Sequence, residues 1–211
     1  MIVKMSRAFC YQCHRAKVAC LCERIDKQHN QVKVIVLQHP DETSQAKGSA
    51  IIAELGLQQY ACWVGEDFTQ HDELKSLMKN HASHTAILYP AEQSVELQTD
   101  RPVAVQEIDT LLVIDATWRK ARKIWQLNPQ LHTLQCLRLS PEAPSQYRIR
   151  KVPGDTYLST VESIVEALRL LENRPQRYQP LLDLFAQMID FQIEQMGMET
   201  FTRHHGDDGC G

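Results

Sequence analysis

Apolar residues recur along this chain with two alternating periods. Residues 32–38 (VKVIVLQ) form a short run rich in β-branched residues, which predicts a buried strand. Ala46 to Leu55 has helical spacing and is followed by Gly56, a residue that commonly ends helices. Asp41, Thr43 and Ser44 are the candidate caps for that helix. Tyr60 to Val64 reads as a strand, and Asp72 to Asn80 as a helix with Leu74, Leu77 and Met78 on one face. Thr85 to Tyr89 is a strand stopped by Pro90. Thr110 to Ile114 (TLLVI) is the clearest strand, with a helix from Thr117 to Leu127 after it. A strand at Leu134 to Leu139 leads into a loop, Ser140 to Thr156, that holds three prolines and Gly154. A helix over Ser159 to Leu171 carries Val161, Ile164, Val165, Leu168 and Leu171 on one stripe, and Tyr178 to Met196 is a last amphipathic helix. Strands that alternate with helices predict an α/β fold with a largely parallel sheet.

Length and composition narrow the class. The 211 residues suit one domain with a small appendage, and 43% hydrophobic with 23% charged residues is ordinary for a globular chain. No apolar run approaches the roughly 18 residues needed to span a bilayer, so no membrane partner is expected. The start has no apolar stretch of signal-peptide length, and seven cysteines are an odd number for a disulfide framework. The expected location is cytoplasmic, with reduced thiols. The expected division is a cysteine module over residues 1–30, a main domain over 31–200 and a disordered tail over 201–211. Oligomeric state is not readable.

The distribution of charge says more than the net of −3. Residues 1–24 carry five basic side chains against one acid, and residues 115–155 carry eight against three. These two basic islands lie on an otherwise acidic chain, a pattern that suits a polyanionic partner.

Three clusters carry candidate chemistry. Cys10, Cys13, Cys20 and Cys22 have the spacing C-x2-C-x6-C-x-C, and four thiolates can close a tetrahedral shell around a structural Zn²⁺. Cys62 and Cys136 fall in apolar strands and are expected in the core. Asp115 lies where the TLLVI strand ends, the edge at which open α/β sheets bind ligands. It is either a cap for the next helix or a functional acid. Beside it, Arg119, Lys120, Arg122 and Lys123 share one helical face, while Trp118 is either core or a stacking surface. The third cluster joins Tyr147, Arg148, Arg150 and Lys151 to Ser159 and Thr160 at a helix start. There Ser159 and Glu162 have capping-box spacing, and the free N–H groups suit a carboxylate.

Taken together, these residues resemble the DTW-domain family. The motif is Asp115-Ala116-Thr117-Trp118, with Gln38-His39-Pro40, Leu88-Tyr89-Pro90, Leu139-Ser140-Pro141, Tyr147-Arg148-Ile149-Arg150 and Leu158-Ser159-Thr160 as companions. The stretch from Thr43 to Lys47 departs from that pattern. The resemblance implies a tRNA-uridine aminocarboxypropyltransferase with a SPOUT-like fold, its sheet flanked by helices, and a C-terminal trefoil knot. Such enzymes move the 3-amino-3-carboxypropyl group of S-adenosylmethionine to N3 of a uridine and release 5′-methylthioadenosine. Asp115, Thr117 and Trp118 are then the catalytic candidates. Leu88, Tyr89, Pro90, Asp115, Leu139, Ser140, Tyr147, Leu158, Ser159 and Thr160 would hold the cofactor. Arg15, Lys17, Arg119, Lys120, Arg122, Lys123, Arg148, Arg150 and Lys151 would meet RNA as one surface. Methyl transfer, an rRNA target and a non-catalytic zinc-containing RNA-binding protein are the alternatives.

Overall fold

The computed structural model describes residues 8–43, 45, 48–98, 107–140, 145 and 158–196. The chain opens with a hairpin of two short strands, β1 (Phe9–Cys10) and β2 (Arg15–Ala16), which pair antiparallel. His14 turns the hairpin at a left-handed φ of 53°. The main sheet follows: β3 (Lys33–Gln38), β4 (Tyr60–Val64), β5 (Thr85–Leu88), β6 (Val95–Glu96), β7 (Thr110–Asp115) and β8 (Gln135–Arg138). Among the described residues, five α-helices accompany it: α1 (Ala50–Gly56), α2 (Asp72–Asn80), α3 (Trp118–Leu127), α4 (Thr160–Glu172) and α5 (Gln179–Met196). All six strands run parallel, in the order β4-β3-β7-β5-β8-β6. The expected α/β class and parallel sheet are therefore met. The two-residue strand β6 has no counterpart in the sequence reading, because a run that short has no period to detect.

Two apolar layers hold the sheet. Val34, Val36, Leu111 and Val113 face α1, α4 and α5, and Ile35, Leu37, Ile87 and Leu112 face Leu74 of α2 and Ile124 of α3. Burial on both faces explains why the strands read as continuous apolar runs rather than as alternating ones. Cys10, Cys13 and Leu21 belong to the first layer, so the cysteine segment and the sheet share one core.

One boundary differs from the sequence reading. The first helix starts at Ala50 and its N-cap is Ser49; neither Asp41 nor Thr43 caps it, and Ser44, Ala46 and Lys47 lie outside the described residues. Gly56 does end that helix, but for a packing reason. A Cβ there would sit 2.9 Å from Ile25 Cδ1 and 3.1 Å from Leu181 Cγ, so glycine lets α1 approach α5 closely.

The end of α4 is tied to the start of β3 by a buried acid that sequence periodicity does not reveal. Glu172 accepts from the N–H of Gln31 (2.8 Å), the N–H of Val32 (3.0 Å) and the hydroxyl of Tyr178 (2.5 Å). Burial first, and this carboxylate second, push the Tyr178 phenol far above its ordinary range, so it remains a donor. Glu172→Ala strands two buried donors, the Val32 N–H and the Tyr178 hydroxyl, at roughly 1–3 kcal/mol each. The expected result is a melting temperature lower by at least about 4 °C, at roughly 2–4 °C per kcal/mol for a chain of this size, measured by calorimetry, with the fold otherwise kept.

Candidate functional site

The four cysteines of the hairpin converge. Their sulfurs all lie within 4.8 Å of one another, with Cys10 to Cys22 at 3.7 Å and Cys13 to Cys20 at 3.8 Å. A tetrahedron with metal–sulfur arms of about 2.3 Å has edges of about 3.8 Å, so the observed edges fit a single ion. A disulfide would bring two sulfurs to about 2.05 Å, and all four thiols are free. The N–H groups of Cys13 and Gln12 pull the Cys10 thiol down to about 6. Burial, then hydrogen bonds with the other three thiols, push Cys22 upward. Four sulfurs crowded in this way cannot all ionise without a cation between them.

Asp115 sits at the carboxyl edge of the sheet, as its position after TLLVI implies, but it is not a helix cap. It is the last residue of β7, while Thr117 occupies the N-cap of α3 and makes no side-chain cap bond. Asp115 is 8% exposed. Its Oδ1 accepts from the Thr160 hydroxyl at 2.6 Å, and its Oδ2 accepts from Gln38 Nε2 at 2.8 Å. Gln38 and Asp115 are register partners on adjacent strands, which places both side chains on the same face of the sheet. Thr160 opens α4. The site is thus assembled from β3, β7 and α4, and the acid is fixed in one orientation.

The start of α4 is as expected locally. Ser159 Oγ accepts from the N–H of Glu162, and Glu162 Oε2 accepts from the N–H of Ser159 at 2.7 Å, a complete capping box. The N–H of Val161 donates to Ser49 Oγ at 3.3 Å, so α1 and α4 meet beside Asp115. The side-chain oxygens of Ser159 and Thr160 are therefore already engaged, as are the N–H groups of Ser159, Val161 and Glu162, and what this helix start offers a ligand is the main-chain N–H of Thr160.

Helix α3 divides its cations. Lys120 Nζ lies 3.1 Å from Asp41 Oδ2 and 3.4 Å from Glu42 Oε1, and Lys123 Nζ lies 2.7 Å from Glu66 Oε2. Lys120 holds the Asp41 carboxyl below its ordinary range, and Lys123, then His39, do the same for Glu66. Lys120 clamps the turn after β3 and Lys123 the turn after β4, instead of presenting a uniform cationic face. Arg119 and Arg122 are exposed on the same helix. Trp118 is 49% exposed, which rules out the core reading. His39 anchors the clamp. Its Nδ1 accepts from the N–H of Asp41 at 3.1 Å, which leaves the proton on Nε2, and Nε2 donates to Glu66 Oε1 at 2.6 Å. Its main-chain N–H donates to the Asp115 carbonyl at 3.0 Å.

Arg15 is 7% exposed and donates to the carbonyl of Gly48 at 3.1 Å, so it ties the hairpin to the loop before α1. Lys17, on the same hairpin, is exposed. Tyr147, Arg148, Arg150 and Lys151 lie outside the described residues, as does Pro141. Leu88 ends β5 and Tyr89 and Pro90 follow it, Leu139 and Ser140 follow β8, and Leu158 precedes the cap of α4. The Tyr89 ring stacks on Trp125 at 4.3 Å, and Trp125 stacks on His132 at 4.2 Å, an aromatic tier missed in the sequence because its members are scattered.

Cys136 is buried as expected, but Cys62 is not sealed in the core. It lines a groove of about 270 Å³ between the cysteine hairpin, α1 and β4, along with Gln38, Glu54 and Tyr60. Burial first, and the charges of Glu54 and Asp115 next, push the Cys62 thiol up to about 11, so it stays protonated. It lies 3.8 Å from Gln38 Oε1.

An α/β protein with a buried acid at the carboxyl edge of its parallel sheet, beside a helix start, belongs to the broad class that binds ligands at that edge. The DTW domain family model matches residues 7–193, and the chain belongs to that family. It is similar to a Drosophila melanogaster protein named tRNA-uridine aminocarboxypropyltransferase 2, with 31% identity over 90% of this chain and 77% of that one. A Macaca fascicularis protein of the same name is 27% identical over 94% of this chain and 68% of its own length. The Mus musculus one is 28% identical over 89% and 64% respectively. No solved structure matches the chain. Among the described residues, no helix is long and apolar enough to cross a membrane.

Proposed function

We propose that this protein transfers the 3-amino-3-carboxypropyl group of S-adenosylmethionine to N3 of a uridine in tRNA, with 5′-methylthioadenosine as the other product. The observation that carries the reading is Asp115, held by Gln38 and Thr160 at the edge where three elements converge. Family membership and the shared name of the relatives agree with it. The donor supplies a methylene carbon made electrophilic by its positively charged sulfur. Each Asp115 oxygen already accepts one bond and keeps a second lone pair. One of these takes the N3–H of the uridine, so that the N–C bond forms as the C–S bond breaks and the proton passes to the carboxylate. The main chain at Leu88 to Pro90, Leu139, Ser140, Tyr147 and Leu158 would hold the adenosine, and the N–H of Thr160, beside Ser159, the carboxylate of the donor. Aim, rather than intrinsic reactivity, then selects the aminocarboxypropyl carbon over the methyl.

Since pairing hides N3, the target base is unpaired or flipped. The exposed ring of Trp118 offers a stacking surface, and Thr117 fixes the turn that aims it. Zn²⁺ held by Cys10, Cys13, Cys20 and Cys22 would be structural, because four thiolates leave no open position for water. We assign the chain to the SPOUT-like class, with a C-terminal trefoil knot as the cofactor pocket, and to the cytoplasm, where tRNA is available and thiols stay reduced.

Nucleoside mass spectrometry of tRNA incubated with the protein and S-adenosylmethionine tests the reading. A uridine heavier by one aminocarboxypropyl group, with methylthioadenosine in equal amount, is expected; S-adenosylhomocysteine would reveal methyl transfer instead. The clamp on α3 adds a second test. Arg119→Ala and Arg122→Ala should weaken tRNA binding and flatten its logarithmic salt dependence by about one unit or less. Lys120→Ala and Lys123→Ala should alter that slope less, since their charges already face carboxylates. Filter binding across a salt series reads all four.

A further inference from the structure

We infer that Tyr89, Trp125 and His132 form a second stacking site, which holds an unpaired tRNA nucleotide near the target uridine. The inference rests on the transferase reading above and adds to it a place for a neighbouring base.

Helix α3 has two different flanks, on either side of its buried Ala121 and Ile124. Lys120 and Lys123 occupy one flank and reach the turns after β3 and β4. Trp118, Arg122 and Trp125 follow at i, i+4 and i+7, a single stripe on the other flank. Stacking of Trp125 on Tyr89 shows where this stripe points, because Tyr89 follows β5, the strand next to β7. Leu88 and Val113 are register partners, so Tyr89 stands level with Ile114, about 4.8 Å across the sheet and one residue short of Asp115. The stripe and the acid therefore share one edge of the protein.

Local sequence fixes the tier. Asn128, fully buried, ends α3: its Nδ2 donates to the carbonyls of Ile124 (2.7 Å) and Glu66 (2.8 Å), and its Oδ1 accepts from the N–H of Phe68 (2.6 Å). Pro129 then opens a 3-10 turn, Pro129–Thr133, which folds His132 back onto Trp125. His132 Nε2 donates to the Trp125 carbonyl at 2.8 Å and holds the imidazole within 28° of the indole plane, while the Tyr89 ring lies within 12° of it. Rings locked in this way lose little freedom when a base binds. A tier that served packing alone would be covered, but this one runs from half-buried Tyr89 and Trp125 to exposed His132.

Charge favours RNA over the adenine of the donor. Arg119 and Arg122 are exposed, and among the described residues neither forms an ion pair, so both are available to phosphate. The donor, with its cationic sulfur, gains nothing from them. Arg122 stands close enough to Tyr89 for its charge to oppose the rise that burial causes in the phenol. Spacing favours an unpaired strand. Trp118 and Trp125 are seven residues, or about 10 Å, apart along the helix, roughly three times the ~3.4 Å rise of stacked bases. Bases on both rings belong to a splayed strand.

Equilibrium binding of tRNA transcripts to the full-length protein tests this. The readout needs no turnover, so it stands even if the transferred group proves to be a methyl. Each unpaired position near the modified uridine is replaced in turn by an abasic nucleotide, and Kd is measured for the parent, Trp125→Leu, Trp125→Phe and His132→Ala. One abasic position should weaken the parent by about fivefold or more and weaken Trp125→Leu by almost nothing further. Trp125→Phe keeps a ring and should recover most of that sensitivity. His132 is at the surface, so His132→Ala reports a smaller loss of the same sensitivity even if Trp125→Leu does not fold. Additive losses at every position, or variants that bind like the parent, would overturn the inference. So would a fall in S-adenosylmethionine affinity with tRNA affinity kept, which would give the tier to the donor. A parent with no affinity for tRNA would overturn the transferase reading and this inference with it.

Discussion

Asp115→Asn lowers turnover on tRNA by about 100-fold or more while the protein still folds and still binds S-adenosylmethionine. The substitution preserves shape and removes charge. The new asparagine retains one oxygen to accept from Thr160, but its amide now faces the amide of Gln38. A flip of the Gln38 carboxamide restores that contact by turning its oxygen toward position 115. The loss of stability is therefore held to about 1–2 kcal/mol, the range for one rearranged buried hydrogen bond. What cannot be restored is the acceptor for the N3 proton, and loss of a general base is worth about 10²–10⁴-fold. Melting temperature, cofactor affinity by calorimetry and single-turnover rate on tRNA measure the three quantities separately. Near-normal turnover would remove Asp115 from catalysis and leave positioning of the methylene as the source of rate. Because Asp115 is not the cap of α3, a loss of helix stability cannot produce the same phenotype.

Removal of the metal is the second large effect. Purified under reducing conditions, the protein should contain one Zn²⁺ per chain, and Cys13→Ser should reduce that content and lower the melting temperature by at least about 5 °C. The effect reaches beyond the hairpin because Cys10, Cys13 and Leu21 are part of the core that contains α1, and Arg15 binds the loop before that helix. Loss of the ion leaves four sulfurs crowded within 4.8 Å with no cation to compensate them. Metal analysis and differential scanning calorimetry read this without reference to activity. Full metal content in Cys13→Ser, or no zinc in the parent, would refute the assignment.

Much of this architecture is legible in the sequence, for local reasons. Strand and helix periods place β3, β4, β5, β7, β8 and the five helices to within a few residues, because each depends on neighbours within one or two turns. The capping box joins Ser159 to Glu162 three positions on, and the cysteine cluster fits between Cys10 and Cys22, so spacing alone announces both. That Asp115 lies at a sheet edge follows from its place after TLLVI.

Its partners do not follow. Gln38 is 77 residues away and Thr160 is 45 residues away, and they meet Asp115 only because β7 inserts between β3 and β5. Hydrophobic period is the same for any strand order, so it carries no information about which strands become neighbours. Charge behaves in the same way. Arg15, Lys120 and Lys123 count as cations in any window of sequence, but one is buried against Gly48 and two are committed to Asp41, Glu42 and Glu66. Whether a charge faces solvent or a partner depends on what the fold sets within about 4 Å of it, and here those partners arrive from 33 to 79 residues away along the chain. The sequence by itself determined the elements, the thiol cluster and the position of the acid. The tertiary structure alone decided what holds that acid, which cations are engaged by carboxylates, and that a groove opens between the cysteine hairpin, α1 and β4.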